Sequence, residues 1–184
     1  MGSEKRQSGR ARRTRGIVAM GAALMVALMA IPAQAVSATD PNDADGRLDL
    51  RFLGAQNDEP KRFVTVRVKT EFGFKCGYMS PKTSNRISLL FDDKLDGTID
   101  TTGTFVCRRV GTPHWSLRMG KAGLVAKHPR PRVLVVNVGY ELIGGDQVED
   151  HWGVAARSKD ETAPKCAYAP CFDRAPNSGM LQVS

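Results

Sequence analysis

Alternation of apolar and polar residues with a period of two recurs along this chain from residue 48 to residue 157, and no stretch of a dozen residues there carries a helical stripe. Val64, Val66 and Val68 alternate with Thr65, Arg67 and Lys69. Ile87, Leu89 and Phe91 repeat the pattern, as do Trp115, Leu117 and Met119. Leu48, Leu50 and Phe52 are expected on one face of a first strand, and Trp152, Val154 and Ala156 on one face of a late one. In the run 133–142, Leu134, Val136, Val138, Tyr140 and Leu142 share a face. Side chains that alternate this way bury one face of a sheet and wet the other. Residues 103–110 and 122–128 are strands of weaker alternation.

The breaks between these runs are rich in Pro, Gly, Asn and Asp, as turns require. Short strands joined by such turns predict an all-β domain, an antiparallel β-sandwich of jelly-roll-like or immunoglobulin-like form. A small β-barrel is the alternative.

The N-terminal segment follows different rules. Lys5, Arg6, Arg10, Arg12, Arg13 and Arg15 precede an uncharged apolar stretch of 16 residues, 16–31, and Ala33-Gln34-Ala35 offers small residues at a cleavage position. This is the pattern of a signal-peptide helix over residues 1–35. It is shorter than the roughly 20 residues that span a bilayer, and no later segment approaches that length. Residues 36–47 are polar and turn-rich, expected as a flexible entry, and 48–184 form a single domain with an irregular C-terminal tail. The implied location is secreted or extracellular.

Export changes how charge is read. The leader holds six basic residues and Glu4, a net of +5, so the formal +8 falls to +3 over the remaining 149 residues. Such a balance is not the footprint of a nucleic-acid binder. Cys76, Cys107, Cys166 and Cys171 all follow the leader, an even count suited to disulfides in an oxidising compartment. Four cysteines permit three pairings. The short loop between Cys166 and Cys171 favours that bridge, with Cys76–Cys107 as the other. A zinc site fits poorly, because Cys-x4-Cys lacks a nearby histidine.

Three features carry possible chemistry. Asp92, Asp96 and Asp100 fall at the first, fifth and ninth places of a calcium-like loop whose sixth place is Gly97. Lys94 stands at the third and Gly103 at the twelfth, where oxygen ligands belong, so a hairpin turn competes with calcium and no other cofactor is indicated. Asp150 and His151 form the densest titratable cluster and are the candidate pair for an extracellular hydrolase. No nucleophile elbow or metalloprotease helix accompanies them. Lys127, His128, Pro129, Arg130, Pro131 and Arg132 make a stiff basic run that suits either a solvated connection or an anionic partner. Trp115 and Trp152 lie in the inward register and are expected in the core; Tyr78, Tyr168 and Phe172 lie in irregular segments with some exposure.

Asp40-Pro41-Asn42-Asp43 with Leu48-Asp49-Leu50-Arg51, and the ending Cys171-Phe172-Asp173-Arg174-Ala175-Pro176-Asn177, resemble an uncharacterised family of secreted actinobacterial β-sandwich proteins. Phe91-Asp92, Tyr140 and Trp152 are similar as well. The resemblance implies an exported β domain and carries no activity with it. The expected function is therefore a non-catalytic binding or interaction module, with a cell-wall polymer, a glycan or a protein as partner. An extracellular hydrolase and a calcium-stabilised accessory protein are the alternatives.

Overall fold

A computed structural model describes residues 35–41, 46–144, 152–161 and 171–183, all within one compact unit, Pro32–Ser184. Among them run eleven strands: β1 (Ala35–Thr39), β2 (Leu50–Asp58), β3 (Phe63–Thr70), β4 (Arg86–Asp92), β5 (Thr101–Val110), β6 (Thr112–Met119), β7 (Ala122–Arg130), β8 (Val133–Gly139), β9 (Trp152–Asp160), β10 (Cys171–Ala175) and β11 (Leu181–Val183). No helix among the described residues is long and apolar enough to cross a membrane. All pairings are antiparallel, in the order β1-β2-β3-β8-β7-β6-β5-β4-β9-β10, with β11 also on β9. The protein is all-β, as the alternation requires.

Of the two architectures expected, the sheet approaches the barrel. It curls until its ends meet, bringing β2 against β9 and β10, and encloses one apolar cluster. The inward residues are those the period picks out: Val64, Val66, Val68, Ile87, Leu89, Phe91, Leu117, Leu134, Val136 and Val138 are essentially inaccessible. Trp115 and Trp152 are 7% and 3% exposed, as core residues should be.

Four local features depart from the sequence expectation, the first being the C-terminal tail: expected as irregular, it supplies β10 and β11, both paired with β9. The segment expected as a flexible entry supplies β1, paired with β2 from Ala35↔Gln56 to Thr39↔Phe52. In β2 a register irregularity falls between Leu50 and Phe52. The extra residue flips the phase, so Leu53 and Ala55 replace Phe52 on the inward face. Phe52 lies over Gly54 instead, where an added Cβ would come within 2.8 Å of its ring. The last strand-like run also ends early: β8 stops at Gly139, and Tyr140–Leu142 form a 3-10 turn that still buries Tyr140.

Closure of the sheet rests on carboxylates. Asp160 ends β9 in the inward phase, 2% exposed. It accepts the backbone N–H of Arg47 at 2.8 Å and of Leu48 at 3.4 Å, and the Tyr78 hydroxyl at 2.7 Å. Gly46 makes this approach possible, since a Cβ there would sit 2.8 Å from the Asp160 oxygen. Asp173 of β10 accepts the N–H of Leu50 in the same way. Side chains thus satisfy backbone donors at a seam where strand pairing has stopped.

Between β3 and β4 the chain crosses one end of the barrel. This crossing buries Phe74, Cys76 and Met79. The Cys76–Cys107 disulfide pins it to β5, as expected from the sequence. The other expected bridge involves residue 166, outside the described residues.

Asp160→Ala leaves buried donors without acceptors and is expected to lower unfolding free energy by at least about 3 kcal/mol, against about 1 kcal/mol for Tyr78→Phe. Joint replacement of Cys76 and Cys107 by serine opens a crosslink of sequence separation 31 and is expected to cost about 4 kcal/mol. Denaturant melts of the three variants check both.

Candidate functional site

The inward register of β5, β6 and β7 continues past the end of the apolar core. On β5 it passes from Phe105 and Cys107 to Arg109; on β6, from Leu117 and Trp115 to Pro113; on β7, from Leu124 and Ala126 to His128. These positions open on a cleft of about 720 Å³ between the strand ends and the crossing segment. Lys75, Arg109, His114, His128 and Arg130 line it, and among the described residues no carboxylate does.

Its floor is aromatic. The His128 ring stacks on Trp115 with centroids 4.6 Å apart and lies 5.0 Å from Phe74, which meets Trp115 edge-on at 5.7 Å. The Phe74 N–H donates to the Pro131 carbonyl at 2.9 Å, and the Thr70 N–H to that of Arg132 at 3.0 Å. These bonds strap the crossing segment to the β7–β8 turn and hold the floor in place. Burial pushes the His128 imidazole below its ordinary pKa, opposed by a hydrogen bond to the Pro131 backbone. Its Nε2 is buried with no hydrogen-bond partner among the described residues.

The basic run 127–132 is therefore more than a solvated connection, because four of its members line the cleft: His128, Pro129, Arg130 and Pro131. Arg109, Lys75 and His114 are contributed by other elements and did not stand out in the sequence. For Arg109 a signal existed: it occupies the next inward place after Cys107 on β5.

The calcium-like loop resolves as a self-capped turn. Asp92 is buried and accepts the backbone N–H of Lys94, Asp96 and Gly97 at 3.2, 3.3 and 2.8 Å. Asp96 accepts the N–H of Thr98 at 2.7 Å. Gly97 has φ +88°, the conformation expected of the Asp-Gly step. Asp92 and Asp100 do approach each other, but Asp93 rather than Asp96 completes the group, with oxygens within 4.8 Å. A hydrogen bond between Asp93 and Asp100 holds the first carboxyl above the usual range and the second below it. Three acidic oxygens, with Asp92 and Asp96 capping backbone amides, fall short of the six to eight a calcium ion takes.

Asp150, His151 and Tyr168 lie outside the described residues. Tyr78 is half-buried on Asp160, and Phe172 is exposed. Comparison of the chain with protein-family models, curated proteins and solved structures finds no match.

The linkage of His128 has a definite sign. Its folded-state pKa is depressed, so its contribution to stability is present above the unfolded value and is lost as pH falls through the folded one. Melting temperature is expected to drop between about pH 7.5 and about pH 5, and His128→Phe is expected to flatten that slope. Thermal melts across the range measure it.

Proposed function

We propose that the protein is an exported, non-catalytic binding module that engages an acidic polymer of the cell envelope through the cleft at the barrel end. The observation that carries this reading is the gathering of cations at the barrel end, where Arg109 takes the inward place after Cys107 on β5 and Lys75 and Arg130 come from the crossing segment and the end of β7. Arg109, Lys75 and Arg130 converge on one cavity, with no acidic side chain among the described residues to neutralise them. Cations around a low-dielectric aromatic floor attract anionic oxygens more strongly than the same charges spread on an open surface. The arginines present planar donor forks suited to carboxylate or phosphate groups.

Export is supported by the signal-peptide pattern of residues 1–35 and is consistent with the Cys76–Cys107 bridge. The likeness to secreted actinobacterial proteins points the same way. An acidic wall polymer is the partner that this compartment and this charge suggest together.

Binding is tested by pull-down of the purified protein with an anionic wall polymer and with a neutral glycan. Retention is expected on the anionic polymer alone. Arg109→Ala and Arg130→Ala are each expected to weaken it about ten-fold, the loss of one charge-assisted contact. Raising salt to about 0.5 M should weaken it as well. Equal retention on both polymers, or indifference to both substitutions, would remove the cleft from the account.

A further inference from the structure

On the outer face of the sheet, β4, β5, β9 and β10 enclose a second concavity of about 510 Å³. Outward residues of an antiparallel sheet ordinarily present a solvated surface of mixed charge. Here the pattern differs. Short hydroxyl side chains form the floor: Ser88 pairs in register with Thr104 on one side and with Arg157 on the other. The Ser88 and Thr104 hydroxyls are 3.1 Å apart. Long side chains form the walls, Arg86 and Arg157 among them, with Phe172 beyond β9. Among the described residues no carboxylate lines this trough. Lys159 is engaged by Glu161, near Arg86 at one end.

Phe172 is 48% exposed, so part of its ring is accessible at the edge of the trough. The Arg157 guanidinium lies 4.8 Å from its centroid, which fixes a cation beside an accessible apolar ring. Hydroxyls flanking that pair supply donors and acceptors at the trough floor.

We infer that this trough is a second binding site, separate from the cleft, and that it takes one unit of an acidic saccharide. The aromatic ring meets the apolar C–H face of the sugar. Ser88 and Thr104 hydrogen-bond its hydroxyls, and Arg157 receives its carboxylate or sulfate oxygens. The assignment rests on the trough alone and does not require the cleft to bind anything.

The test is a titration of the isotope-labelled protein with an oligogalacturonate, with a heparin-derived oligosaccharide, and with neutral maltohexaose, followed by backbone amide shifts. At least one acidic oligosaccharide should move the amides of Ser88, Thr104 and Arg157, and the neutral one should move them far less. Arg157→Gln should weaken that binding by about ten-fold and Phe172→Ala by a few-fold. Both side chains are exposed, so the variants should keep the wild-type melt. Arg67→Gln, an exposed cation on β3 away from the trough, should leave the affinity unchanged. Absence of shifts at the trough with both acidic probes overturns the inference, as does equal affinity of Arg157→Gln and wild type. Shifts confined to Lys75, Arg109 and Arg130 would support the cleft and refute the trough.

Discussion

A sheet that buries one face must close on something, and here the closure depends on Asp160. Its carboxylate stands at the end of β9 in the inward phase and binds three donors from two distant segments, the entry to β2 and the crossing between β3 and β4. The first contact joins the two ends of the curled sheet. The second holds the crossing over the end of the barrel. The Cys76–Cys107 bridge fixes the same crossing to β5, so Phe74 reaches Trp115 and His128 and the floor of the cleft exists. Without these tethers the strand ends of β5, β6 and β7 would open to solvent, and their cations would be ordinary surface charges.

Strand identity and face were legible from side-chain period, because burial of one sheet face imposes it directly. Val64, Val66 and Val68, or Ile87, Leu89 and Phe91, could hardly be read otherwise. The period misleads where it is broken by backbone rather than by composition. The irregularity beside Phe52 inserts one residue, and no residue type announces it. Strand β1 was hidden for a related reason: Ala35–Thr39 is short and half-exposed, and its pairing with β2 is long-range. Whether the sheet would form a sandwich or a near-barrel depends on contacts between its ends, and these involve buried acids that local pattern cannot place.

The sites were partly legible for the same reason. His128 and Arg130 stood out as a basic run, yet their partner Arg109 was visible only by following the inward register of β5 beyond Cys107. Two of the polar residues at inward positions past the core show how the barrel ends, Arg109 on β5 and Asp160 on β9. One opens a cleft and the other closes a seam. The difference lies in what faces each: backbone N–H groups meet Asp160, whereas a cavity meets Arg109. Asp92 teaches the converse lesson, since an acid-rich loop that resembles a metal site uses its carboxylates on its own amides.

The central claim is that the cationic cleft over Trp115 is where an anionic chain binds. Tryptophan fluorescence reads this directly, because Trp115 lies in the floor of that cleft and Trp152 packs separately against Phe91. In a Trp152→Phe background, titration with an anionic wall polymer should give a saturable change in Trp115 emission that high salt reverses and a neutral glycan does not reproduce. Unchanged emission through the titration, in a protein that melts as the parent does, would contradict the account.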